Sequence, residues 1–109
     1  MATYFRTRVR KNIGTTPADV LQTVDNNRFT IIGMNLANTT DNDVSIDIQV
    51  YGADSTVVYY IKGLIIPPYN SAKVVTNGEK IILAENCGIR ITADTDSSID
   101  AVISYAEII

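Results

Sequence analysis

Side chains that can take up, release or share protons are scarce in this sequence. It has no histidine and one cysteine, Cys87. Without imidazole the commonest general base is missing, and with it the Ser-His and Cys-His nucleophile pairs. One thiol and no imidazole cannot build a structural zinc tetrahedron. The six glycines fall into neither GxGxxG nor GxxxxGK[ST] spacing, so the usual phosphate-cradling loops are absent. What remains is carboxylate, gathered in Asp41-Asn42-Asp43 and Asp94-Thr95-Asp96. Each offers oxygens to a hard cation such as Ca²⁺, but neither carries the glycine and terminal glutamate of an EF-hand loop. Paired carboxylates can also cleave a glycosidic bond, in a cleft deeper than so short a chain is expected to enclose. No catalytic residue, metal ligand or cofactor is expected, and the protein is not expected to be an enzyme.

Asp94-Thr95-Asp96 resembles the Asp-Thr-Gly loop of retroviral-type aspartic proteases, but Asp96 stands where that family needs glycine to bring two carboxylates around one proton. The segment reads instead as a turn whose aspartates bond to nearby backbone N–H groups. Asn38-Thr39-Thr40 fits a glycosylation acceptor pattern and reads as a polar turn. Cys87 has no internal disulfide partner and reads as a small buried hydrophobe in a row with Ile89 and Ile91.

The residues that carry information are basic, aromatic and apolar. Arg6, Arg8, Arg10 and Lys11 are nearly half of the nine Lys and Arg residues, whereas all twelve acids come later. If residues 3–13 form a strand, Arg6, Arg8 and Arg10 line one face, with Phe5, Thr7 and Val9 on the other, and the guanidinium groups follow one another at about 6–7 Å. Such a row suits carboxylates on a neighbouring subunit, because guanidinium forks bind carboxylate bidentately. Phosphate is the competing ligand, but a net charge of -3 and a pI near 4.7 repel DNA and RNA at long range. No nucleic-acid partner is expected. The C-terminal Ile108 and Ile109 place two large apolar residues where chains usually fray, so a covering surface is expected there. Tyr59 and Tyr69, with Tyr60 beside Leu64-Ile65-Ile66, could form an amphipathic contact patch. The candidate interface is therefore Arg6, Arg8, Arg10, Tyr59, Tyr69, Ile108 and Ile109.

The elements that must position these residues read as strands. At 109 residues, 46% apolar and 19% charged, the chain is expected to form one folded domain spanning 1–109, with residues 1–13 as an arm or edge strand engaged in assembly. Val44, Ile46, Ile48 and Val50 alternate with polar residues, the pattern of a strand with one buried face. Phe29 to Leu36 is apolar on both faces apart from Asn35, with a bulge or a close backbone approach expected at Gly33. This strand is expected to pair with Asp43 to Tyr51 across the intervening turn. Further strands are expected over 20–24, 56–64, 72–76, 79–84, 87–93 and 99–108, with turns at Pro67-Pro68, Asn77-Gly78 and 94–98. A helical turn is expected at 17–21, capped by Thr16. Strands at intervals of about ten residues predict an all-β fold: a single jelly-roll-like β-sandwich of about eight or nine mostly antiparallel strands. No apolar run approaches a membrane span, no secretory signal follows the N-terminal charges, and synthesis in the cytoplasm is expected.

From about Val9 onward the sequence resembles small β-sandwich virion structural proteins of tailed bacteriophages, cyanophage-like in particular. The similarity lies in Thr15-Thr16-Pro17, TIIGMNLANTT, VSIDIQVY, Tyr60-Ile61-Lys62-Gly63 leading to Ile66-Pro67, Lys80-Ile81-Ile82-Leu83, and Ser104-Tyr105-Ala106-Glu107-Ile108. It implies a non-enzymatic virion building block, either a capsid decoration or cement protein or a neck or tail accessory. Its partners would be copies of itself, as a trimer or ring, and a larger phage structural protein such as the major capsid or tail protein. The alternative is a carbohydrate- or receptor-binding sandwich using Tyr51, Tyr69, Asp41 and Asp94 at one loop end.

Overall fold

The computed structural model describes residues 2–75 and 80–109. These contain nine strands: β1 (Thr3–Ile13), β2 (Ala18–Gln22), β3 (Arg28–Asn38), β4 (Val44–Tyr51), β5 (Val57–Ile66), β6 (Ser71–Val75), β7 (Ile81–Leu83), β8 (Gly88–Ala93) and β9 (Ile99–Ile108). The Asn77-Gly78 turn lies outside the described residues.

The pairing has one organising rule. In the described strands, residues roughly equidistant from the middle of the chain face each other. Tyr51 pairs with Val57, Leu36 with Ala72, Leu21 with Ile89 and Thr3 with Ile108. The molecule is thus one long antiparallel ribbon, folded at the Gly52–Thr56 turn and rolled up so that β9 also pairs with β3 and β8 with β4. Two sheets result: sheet A, in the order β1-β9-β3 followed by β6 and β7 end to end, and sheet B, in the order β2-β8-β4-β5. This is the wrapping of a jelly roll, and every described pairing is antiparallel.

The alternation read from the sequence fills the space between the sheets. Val44, Ile46 and Ile48 of β4, Ile89 and Ile91 of β8, and Ile99 and Ile103 of β9 are completely buried. Where the apolar rhythm skips a beat, the backbone bulges to restore it. In β3 the inward residues are Phe29 and Ile31, then Met34 and Leu36, and the register against β9 shifts between Ile31 and Gly33. An unbroken strand would have turned one of these pairs outward. In β1 the register shifts between Arg10 and Ile13, with Asn12 at φ 58°, and Ile13 turns into the core.

Two expectations are corrected. β3 and β4 do not form a hairpin; they lie in different sheets. Asn38 explains why: it is 2% exposed, and its side-chain amide donates to the carbonyls of Asn42, Ile66 and Pro67, folding the connection across the end of the sandwich. Residues 17–21 are not a helical turn either, because Ala18 and Leu21 pair with Ile91 and Ile89 in β2. Burial of Val20 and Leu21 outweighs the local preference of a Thr-Pro start.

Gly88 marks a close approach: a methyl group there would collide with the Tyr51 hydroxyl and lie 2.9 Å from the Leu21 carbonyl oxygen. Gly88→Ala is expected to lower stability by about 1–3 kcal/mol, seen as a lower urea midpoint. Removing the Tyr51 ring in the same chain should recover only part of the loss, because the Leu21 carbonyl stays in place.

Candidate functional site

The arginine row lies at one flank of the sandwich. Arg6, Arg8 and Arg10 oppose Tyr105, Ile103 and Ala101 of β9, all of which point into the core. The guanidinium row is therefore on the inner side of sheet A, where β1 overhangs β2, and the Phe5, Thr7 and Val9 row is on the outer side. Both rows are exposed, because β1 is covered on neither face before Ile13.

The guanidinium groups find few partners. Arg6 Nε donates to Glu107 Oε1 at 2.7 Å, and the guanidinium sits 5.2 Å from the centre of the Tyr4 ring. Glu107 Oε2 accepts from the Asn27 side chain at 3.0 Å. With Arg6 half exposed, this pair contributes little to stability, on the order of 0–1 kcal/mol. Arg10 reaches the Asp19 carbonyl, at 3.5 Å. Arg8 lines a crevice with Asp19, Val20, Leu21 and Gln22 of β2.

The other expected interface residues are spread out. Tyr59 lies on β5, at the opposite flank from β1, with the Lys62 ammonium 4.5 Å from its ring centre. Tyr69 is 73% exposed in the β5–β6 turn, at φ 55°. Ile108 and Ile109 do not fray: Ile108 pairs with Thr3, and the backbones of Ala2 and Ile109 exchange two hydrogen bonds. The sheet supplies part of the cover expected from a partner, although the Ile109 side chain remains exposed.

Pairing also defines an outer face of sheet A that the sequence did not single out as a surface. Val9 opposes Val102, Phe5 opposes Ala106, and Ile82 opposes Thr30. Phe5 is 80% exposed and Ile82 71%, with Val9 and Val102 also open to solvent. At its centre a shallow groove runs past Gly33 and Asn35, and the Asn35 Oδ1 atom is buried without a hydrogen bond.

The residues considered for sugar binding separate. Tyr69 and Asp94 lie at the end of the sandwich that holds the 39–43 turn, since Tyr69 N–H donates to the Thr40 carbonyl and Asp94 Oδ1 accepts from Ser45 N–H. Tyr51 does not join them; it sits at the far end of β4, under the Arg90 guanidinium at 4.9 Å. Among the described residues no three acidic or thiol side chains converge on a metal-sized site. Asp96 accepts from the Thr15 hydroxyl at 2.8 Å, so both aspartates of this turn fasten neighbouring segments. Cys87 is only half buried, whereas Ile89 and Ile91 are fully so.

No family model matches the chain, and no curated protein matches it. Among solved structures, the crystal structure of PirA overlays on 94% of this chain and 92% of that one, with a TM-score of 0.42 at 14% sequence identity. Fold and surface together define the class: a jelly-roll sandwich with one long basic edge and an exposed apolar sheet face.

Tyr51 gives this description a test. Burial, followed by the nearby Asp19 carboxylate, raises its phenol above the ordinary value of 10.0. A phenol held protonated in the folded state costs nothing below that value. Stability falls as pH rises past it, because the unfolded chain ionises first. Tyr51→Phe is therefore expected to lose less stability than the parent chain between about pH 8 and about pH 10.5, measured by urea denaturation. Equal losses would contradict the burial.

Proposed function

We propose that this chain is a non-enzymatic virion structural protein of a tailed bacteriophage, a capsid decoration or cement subunit or a neck or tail accessory. In this reading it works by packing against copies of itself and against a larger structural protein, and its place is the virion. The observation that carries the reading is the exposure of β1. A strand of 11 residues with both faces solvent-accessible contributes little to the core of its own domain. Such a strand is placed to contribute to a contact with something else. The phage-protein resemblance supplies the identity of that assembly, and the exposed apolar face of sheet A supplies a second contact surface.

A second reading, a glycan- or receptor-binding module, draws on Tyr69, which stands open at the loop end beside the 39–43 turn. One set of measurements separates the two. Virions purified on a density gradient should carry the chain at stoichiometric level, and replacing Arg6, Arg8 and Arg10 by Glu should strip it from them. Tyr69→Ala should leave incorporation unchanged. Absence of the parent chain from purified particles overturns the virion reading. Glycan binding that survives the arginine changes and disappears with Tyr69→Ala establishes the second.

A further inference from the structure

Among the described strands, β1, β2, β5 and the β6–β7 pair lie at the edges of the two sheets, but these edges are not equivalent. β2 has five residues, and β6 and β7 present five and three in two separate pieces. β5 is longer, yet its register against β4 shifts twice, between Ile46 and Ile48 and again between Ile48 and Gln49. β1 runs from Thr3 to Arg10 in unbroken register with β9. Among the described residues it is the one long, regular edge.

Its side chains dictate what can pair there. A two-fold axis that joins β1 to β1 of a second copy places residues of like parity opposite each other. With the axis at Arg8 all three arginines face arginines, and in every neighbouring register that overlaps most of the strand at least one arginine still faces an arginine. Like charges directly opposite in a sheet are unfavourable, so this edge rejects its own copy. The complementary strand carries acids on the inner side and apolar residues or threonine on the outer, opposite Phe5, Thr7 and Val9. β9 already provides half of this pattern from the other side: Glu107 lies on the inner side and closes on Arg6 at 2.7 Å. Among the described residues, Arg8 and Arg10 have no carboxylate of this kind.

We propose that β1 is a docking edge for an extended segment of another protein in which acidic and apolar residues alternate, added to sheet A as a further strand. Main-chain hydrogen bonds to the free side of β1 supply affinity, and the arginine row sets register and selects the acid pattern. The inference deepens the assembly reading above and rests on it for the source of the segment.

The test is a titration of the isotopically labelled full chain with the capped peptide Thr-Glu-Val-Glu-Val-Glu-Thr, followed by amide NMR. The control is Thr-Glu-Glu-Glu-Val-Val-Thr, of the same composition in blocks. The alternating peptide is expected to shift the Phe5 to Val9 amides and slow their exchange, and to bind roughly tenfold more tightly than the control. Raising the salt should weaken it, and Arg8→Glu with Arg10→Glu should abolish it. Arg8→Gln with Arg10→Gln should bind at an intermediate level, with unchanged sheet B amides reporting an intact fold. Equal binding of both peptides overturns the proposal. So does an undisturbed β1 at peptide concentrations of about 1 mM, or perturbation centred on β5. Concentration-dependent broadening of β1 amides in the chain alone would show self-pairing and would also overturn it. None of these results bears on whether the chain is found in virions, so the two readings fail separately.

Discussion

Folding the chain back at Gly52–Thr56 lays the two halves of the chain side by side. Once Tyr51 faces Val57, the pairing proceeds outward on both halves, with register shifts at the bulges, until Ala2 and Ile109 meet at the end of the ladder. The contacts that result are mostly between residues far apart in sequence, and such folds form slowly because loop closure precedes the stabilising contacts. The ribbon must also roll, since neither half of it has a covered face alone. The completely buried Ile46, Ile48, Ile91, Ile99 and Ile103 become a core only when sheet A closes over sheet B.

Rolling leaves four sheet edges, and bulges decide what the β1 edge and the outer face of sheet A show. In β1 the extra residue near Asn12 changes the phase between Arg10 and Ile13. Ile13 closes the core, and the three preceding arginines share its side of the sheet beyond the point where β2 can cover them. In β3 the phase change at Gly33 satisfies two apolar pairs on the inside and leaves Ile32 partly exposed on the outside. The exposed apolar face of sheet A is therefore partly a consequence of packing the interior.

Much of this fold was legible in the sequence, because period-two alternation in β4, β8 and β9 reports burial directly. The bulge at Gly33 was legible too, from an apolar stretch with a glycine in it. Pairing was less so. Alternation states which residues face inward, not which strand lies alongside, and adjacency in sequence suggested a β3–β4 hairpin. The feature that prevents it is the Asn38 side chain, whose three carbonyl partners come from segments that local reading cannot bring together. Thr16-Pro17 suggested a helix start, and the ladder to β8 overrode it. Of the candidate site, the two faces of β1 were correctly separated. Which of them looks inward depends on the register with β9, which no local pattern contains. Residue type alone groups Tyr51 with Tyr69, and strand direction places them at opposite ends.

The inner position of the arginines bears on their energetics. A charged side chain turned toward the core side of an edge strand is tolerated only while water reaches it. Arg6 keeps half its surface exposed for this reason. The same placement opposes aggregation, since a strand added without matching carboxylates would cover the guanidinium groups of Arg8 and Arg10 without an acidic partner. A strand that brings carboxylates meets the opposite balance: each pair gains strength as the added strand excludes water, and the planar guanidinium can hold a carboxylate in two hydrogen bonds with little further loss of freedom. One row of side chains can thus leave the isolated domain soluble and still discriminate sharply among partners. Its discrimination grows with the amount of water the partner displaces.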